Sequence, residues 1–264
     1  MDFAIEGNAA LVTASSSGLG NAAATALARE GANVVLNGRD GERLEDAVAT
    51  LREDEAVTGE VVGQRGDLTD AGDVEALVDR PVEEFGGLDH LVTSAGGPPS
   101  GPFLETTDED WYDAFDLLVM SVVRTVRAAA PHLRDGGGTI VTVTSRSVKE
   151  AIDSLVLSNS VRMGVVGLEK TLSRELAPEV RANAVLPGPH ETARIRDLVR
   201  QGVERGEYDS YEDGLAARGA SNPLGRIGDP MELGDVVAFL CSPRAGYVNG
   251  AAIPVDGGLG RSNL

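Results

Sequence analysis

The chain is poor in the residues that build metal centres and cross-links. It has one cysteine, Cys241, which excludes an intrachain disulfide and a cysteine-rich metal site. Its three histidines, His90, His132 and His190, are scattered, so no metal is expected. Lysine is nearly absent: Lys149 and Lys170 are the only two, and the other basic residues are arginines. No apolar run reaches the ~20 residues of a membrane span. No basic-then-apolar segment opens the chain, so a cytoplasmic location is expected.

Positive charge is also short. The 264 residues include 23 basic and 42 acidic side chains, for a net charge of −19. Nucleic acids and anionic membranes repel such a surface, and neither is expected as a partner. The acids are spread over helix-like segments rather than collected in a tail. Adaptation to high salt explains this pattern, because ~1 M salt shortens charge repulsion to ~3 Å. A halophilic protein is the expectation.

Hydrophobic residues make up 42% of the chain, enough for a sizeable core. No linker, repeat or low-complexity tract divides it, so one domain over residues 1–264 is expected.

What is present is alternation. Residues 9–12 and 32–37 are strand-like, and 60–64 leads into Gly66-Asp67-Leu68. Residues 88–92 and 138–143 are further apolar strands, and 181–188 is a sixth. Between them, residues 21–29, 40–52, 71–85 and 111–133 have helical spacing, with Leu44, Val48 and Leu51 as one apolar stripe. Strands alternating with helices imply an α/β fold: a Rossmann-type, doubly wound parallel sheet with helices on both faces. Such sheets bind ligands beyond the carboxyl ends of their strands, where the strand order reverses.

The organising stretch is Thr13-Ala14-Ser15-Ser16-Ser17-Gly18-Leu19-Gly20. It joins the first strand to an alanine-rich helix. Glycines here let a backbone approach a pyrophosphate, and the helix start offers free N–H groups. The stretch resembles the T-G-x-x-x-G-x-G turn of the short-chain dehydrogenases/reductases, with Ala14 replacing the first glycine. The extra methyl fits if the local φ is negative.

The resemblance runs over nearly the whole chain and implies a bound dinucleotide. It assigns cofactor contacts to Thr13, Ser15, Ser17, Gly18, Leu19 and Gly20 in the turn, and to Asp67 and Leu68 near the adenine. Ala95 and Gly96 stand where the family has N-N-A-G, and Pro187, Gly188 and Thr192 match its P-G-x-x-x-T segment. Family members that use NADP carry a basic residue after the second strand. Arg39 occupies that place, and its guanidinium suits a 2′-phosphate, so NADP is expected, with NAD possible. Relatives are tetramers, which implies a homotetramer.

The family's active site is a serine, a Y-x-x-x-K pair and a helix asparagine. Ser145 matches the serine. Aligning Gly164-Val165-Val166-Gly167-Leu168 with the family's G-x-x-G-L puts Ser158 at the tyrosine and Arg162 at the lysine. The asparagine position falls near Leu118. The pattern resembles a divergent subgroup without the tyrosine, whose members are often labelled oxoacyl-carrier-protein reductases. A serine hydroxyl is a far weaker acid than a phenol of pKa ~10, and an arginine stays charged. The ordinary proton transfer therefore cannot run through these positions unchanged.

Lys149 is a candidate acid/base if partial desolvation lowers its pKa. Its other reading is a solvated loop residue. His190 is a second candidate, expected near the nicotinamide. Arg162 is expected at the ribose. Residues 193–204 and 211–218 read as helices within a substrate lid at about 189–224. In that lid Arg194, Arg196, Arg200 and Arg205 either meet an acidic substrate or pair locally. The expected work is interconversion of a carbonyl and a hydroxyl on a small metabolite. The alternatives are a dehydratase or isomerase, and a catalytically silent nucleotide-binding protein.

Overall fold

The first apolar run, Ala9–Val12 (β1), is buried along its whole length, as a strand covered on both faces must be. The computed structural model describes residues 2–263, and the side chain of Arg194 lies outside the described residues. After β1 come α1 (Gly18–Arg29), β2 (Asn33–Gly38), α2 (Gly41–Glu53), β3 (Val61–Arg65), α3 (Ala71–Phe85) and β4 (His90–Thr93). Then follow α4 (Asp108–Phe115), a π-helical turn (Asp116–Met120), α5 (Ser121–Gly136), β5 (Gly138–Val143), α6 (Val156–Glu175) and β6 (Val180–Pro187). The chain closes with α7 (Ala193–Glu204), α8 (Tyr211–Gly219), α9 (Pro230–Cys241) and β7 (Ala252–Val255).

The seven strands form one parallel sheet in the order β3-β2-β1-β4-β5-β6-β7. Alternate side chains of each strand feed opposite layers. Ala10 and Val12 join Leu27, Leu36, Leu233 and Leu240 under α1, α2 and α9. Leu11 joins Leu77, Leu91, Leu133, Ile140 and Leu157 under α3, α5 and α6. The order reverses between β1 and β4, so a crevice opens there at the carboxyl ends of the strands.

Local chemistry sets the helix starts. Asp40 and Asp70 accept backbone N–H groups at the starts of α2 and α3. Asp229 and Glu232 form a capping box with Pro230 at the first turn of α9, the arrangement that stabilises helix entry. The helix expected over 111–133 is instead two helices joined by the π turn. Leu118, expected near the family's asparagine position, is buried in that turn. Ser121 and Thr125 hydroxyls donate back to Leu117 O and Ser121 O, a competition with the helix ladder that periodicity alone does not reveal.

Candidate active site

The turn between β1 and α1 is built around Asn37, buried at the end of β2. Its Oδ1 accepts Ala14 N at 2.9 Å, and its Nδ2 donates to Gly66 O at 3.1 Å. Its own N–H donates to Ser15 Oγ at 2.9 Å. Asn37 thereby ties together the ends of β1, β2 and β3, and the sequence reading had passed over it. Ala14 takes φ +46°, so the expectation of a negative φ is corrected. The pull of Asn37 on Ala14 N and the packing of Gly20 against Ala14 hold it there. A Cβ on Gly20 would lie 2.5 Å from Ala14 O, so only glycine fits at that point.

Thr13 and Ser15 do not face the crevice. Thr13 Oγ1 donates to Ser94 O at 2.7 Å and accepts Ser94 N at 2.8 Å, and Ser15 Oγ donates to Val12 O. Their side chains brace the turn.

A cleft of about 1360 Å³ lies over the crossover. One wall is Ser17, Gly18, Leu19 and Gly20 at the start of α1. Ser17 makes no side-chain cap and α1 has no acid in its first turn, so its free N–H groups and positive dipole end face the cleft. Gly18, at φ +65°, brings the backbone there without a side chain. These features fit a pyrophosphate.

Arg39, Arg43 and Arg65 line the outer end, with Asp67 and Leu68 beside them. Arg39 lies 3.8 Å from Asp67, Arg65 Nε donates to Arg39 O at 2.9 Å, and Arg43 reaches Ser17 Oγ at 3.3 Å. The Thr69 N–H and hydroxyl, with Arg39, hold the Asp67 carboxyl below its usual pKa. Sequence reasoning found Arg39 alone. Arg43 and Arg65 come from helix and strand positions whose convergence is a matter of strand register.

At the inner end Ala95, Gly96, Leu117, Val143, Thr144, Arg162 and Thr192 close the floor. Arg162 is 8% exposed, which excludes the surface position it could have had on α6. It donates to Thr144 O at 3.3 Å and Gly96 O at 3.5 Å, and burial lowers its pKa to about 10. Thr192 caps the N-terminal side of α7 without a side-chain cap bond and sits over Gly18. Pro187 and Gly188 stay behind this wall, where Gly188 N donates to Val255 O at 3.0 Å.

The other expected catalytic groups are not among the residues that line the cleft, although Ser145 directly follows Thr144, which is. Ser145 starts the turn after β5 and accepts Ser147 N at 3.1 Å. Ser158 is buried with its Oγ 3.2 Å from Ser147 Oγ. Lys149 is exposed, so the desolvation expected of it is not there. It follows a short helical turn, Arg146–Val148, that ends toward solvent. His190 is buried in a separate cavity of about 250 Å³ beside Asn222, Arg226, Glu232 and Asp256. Its bridge to Gly228 draws it away from the cleft. Its Nδ1 is 3.0 Å from Gly188 O, and burial lowers its pKa.

Both helices expected between 189 and 224 are present, and α7 turns Ala193, Asp197, Leu198 and Gln201 into the cleft. Arg200 pairs with Asp197 at 3.4 Å and Arg205 with Glu207 at 2.7 Å. Arg196 donates to Glu191 O. Local pairing therefore absorbs these three, while the Arg194 side chain is outside the described residues.

Comparison with known proteins agrees with this geometry. The family model described as enoyl-(acyl carrier protein) reductase matches residues 13–260. Dehydrogenase/reductase SDR family member 4 of Homo sapiens is 35% identical over 255 residues, covering 94% of this chain and 86% of that protein. The structure of L-sorbose reductase from Gluconobacter frateurii, complexed with NADPH and L-sorbose, is similar at TM-score 0.92 and 32% identity, covering 99% of this chain and 100% of that one. An actinorhodin polyketide ketoreductase structure with NADPH is similar at TM-score 0.85 and 34% identity, covering 96% and 97%. With its doubly wound sheet, glycine turn and crossover cleft, the chain belongs to the short-chain dehydrogenase/reductase family of oxidoreductases.

Proposed function

We propose that the chain is an NADP(H)-dependent oxidoreductase that interconverts a carbonyl and a hydroxyl on a small metabolite, in a subgroup without the tyrosine and lysine. The observation that carries the cofactor reading is the convergence of Arg39, Arg43 and Arg65 at the outer end of the cleft. Guanidinium groups suit a 2′-phosphate, and the NADPH complexes of the two structural relatives support the same choice.

Bound there, the nicotinamide would supply or accept the hydride. The start of α1 holds the pyrophosphate, Asp67 and Leu68 flank the adenine, and Ala95 and Gly96 offer backbone at the middle of the cleft. Arg162 donates to ribose hydroxyls, Thr192 holds the carboxamide, and Ser145 orients the substrate oxygen. Neither Ser158, turned onto Ser147, nor the exposed Lys149 is given the proton in this reading; a single water held in the closed cleft beside the substrate supplies it. Residues 189–224 act as a lid that excludes bulk water from the reacting atoms.

A homotetramer belongs to the same proposal. Tyr112 and Phe115 on α4 and Met163 on α6 are exposed, and these two helices pack together, so one apolar face is available to a second copy. Among the described residues no helix is long and apolar enough to cross a membrane, which is compatible with a cytoplasmic setting.

One observation favours a second reading, dinucleotide binding without redox turnover. Among the described residues lining the cleft there is no tyrosine or lysine.

The test is a fluorescence titration of NADPH and NADH in high KCl. NADPH is expected to bind at least ~10-fold more tightly, the worth of one charge-assisted contact, and Arg39→Ala with Arg43→Ala is expected to erase the difference. Oxidation of NADPH by a carbonyl panel separates the two readings. Binding without turnover of any carbonyl supports the silent protein, and no binding of either cofactor ends the oxidoreductase reading.

A further inference from the structure

Arg162 is a buried cation that makes no ion pair among the described residues. Its two hydrogen bonds go to neutral carbonyl oxygens, Thr144 O and Gly96 O, at 3.3 and 3.5 Å. Its Nε is buried and has no partner among the described residues. Among the described residues no ion pair reaches it: Glu150 pairs with Arg146, Asp197 pairs with Arg200, and the buried Glu169 on the same helix accepts a hydrogen bond from Thr142. This happens in a chain with 42 acidic residues against 23 basic ones. Leaving a buried guanidinium without a counter-charge costs several kcal/mol. Ribose hydroxyls can accept its hydrogen bonds but cannot neutralise it.

The walls around it at the inner end of the cleft are Leu117, Val143, Thr144, Thr192 and Leu198, and the acid that α7 adds to the cleft, Asp197, is exposed and held by Arg200 at 3.4 Å. Among the described residues lining the cleft, Arg162 is the one charged residue that is buried, and the cleft is large enough for a small molecule beside a nicotinamide. A guanidinium presents paired N–H groups in the plane and spacing of a carboxylate. The lid arginines, the earlier candidates for an acidic substrate, are engaged with Asp197, Glu207 and Glu191 O.

We propose that Arg162 takes the carboxylate of the substrate, so that the enzyme acts on small oxo acids and the corresponding hydroxy acids in preference to neutral ketones or sugars. This rests on the carbonyl–hydroxyl reading above. It also separates the chain from the L-sorbose reductase it resembles, whose substrate carries no charge. The bonds balance as in any such reduction: hydride goes to the carbonyl carbon, the C=O π electrons go to oxygen, and a proton from water completes the hydroxyl. The carboxylate is unchanged.

The test uses the whole chain loaded with NADPH. Pyruvate, 2-oxobutanoate and acetoacetate are titrated against their methyl esters, with NADPH fluorescence reading binding and NADPH oxidation reading turnover. The acids are expected to bind ~10- to 100-fold more tightly than the esters, the worth of one buried charge-assisted pair. Arg162→Gln removes the difference, Arg162→Lys keeps part of it, and Arg134→Gln, at a residue that pairs with Glu179 outside the cleft lining, leaves it intact. Equal binding of acid and ester by the wild type overturns the proposal. So does binding of neither, or an acid preference that survives in Arg162→Gln. NADPH affinity, measured on the same variants, keeps the two readings apart. A wild type that binds NADPH and reduces neutral ketones as well as oxo acids sinks this proposal alone. A wild type that binds no NADPH sinks both.

Discussion

Glu169 is a carboxyl sealed inside the sheet-facing side of α6. Thr142 donates a very short hydrogen bond to its Oε1, Thr93 and Thr142 hydroxyls meet at 2.7 Å, and Oε2 has no partner among the described residues. Burial pushes its pKa up to about 8. The folded state therefore keeps a proton that the unfolded chain releases near the ordinary carboxylate value of 4.5. Stability falls as pH rises between those values, by up to ~1.4 kcal/mol per pH unit. His90 works the other way. Burial lowers its pKa to about 4 from 6.5, so stability rises with pH through that lower window. Above pH 6.5 Glu169 is the one of the two still titrating. Denaturant midpoints should fall between pH 6.5 and 8 in the wild type, and Glu169→Gln should flatten that limb. A limb of unchanged slope in the variant would remove Glu169 as its cause. The charge pattern of the sequence draws no attention to Glu169, because a helical glutamate is ordinarily solvated and only the packing of α6 on β5 buries this one.

At the scale of elements, the β1–α1 turn is a compromise between binding geometry and backbone strain. Ala14 is held at φ +46°, where a Cβ costs about 1 kcal/mol or more. Ala14→Gly relieves that strain against a smaller gain in unfolded-chain entropy. It should raise Tm by roughly 2–4 °C for a chain of this size, and a fall in Tm would show that the methyl packs usefully. The strand–turn–helix order of this segment was legible, because a short apolar run, a glycine turn and an alanine-rich stretch are local signals. The sign of φ at Ala14 was not, since it depends on Asn37 from the next strand. The same holds for α4 and α5. Their helicity is periodic in the sequence, but the π turn at Asp116–Met120 follows from side-chain hydroxyls competing for backbone carbonyls and from burial of Leu118. The two helices between residues 189 and 224 matched expectation within a residue, whereas the partners of their arginines were settled by which acids the folded segment brought near.

At the scale of the whole molecule, charge and surface decide behaviour. With a net charge of −19, self-repulsion opposes the compact state and salt screens it. The protein is expected to unfold as KCl is withdrawn, followed by circular dichroism, and to gain stability as KCl is added. Destabilisation by added KCl would refute adaptation to high salt.

The sequence by itself determined the fold class, the alternation of strands and helices, and the place of the cofactor turn, because these rest on hydrophobic period, glycine placement and chain order. Its resemblance to the family also put Ser158 and Arg162 at the tyrosine and lysine positions as an expectation. Only the tertiary structure decided what those substitutions mean. It turned Ser158 onto Ser147, left Lys149 in solvent, carried His190 into another cavity, and buried Arg162 as an unpaired cation. Burial and partner choice depend on residues far apart in the chain meeting across strands and loops, and no local pattern encodes those meetings.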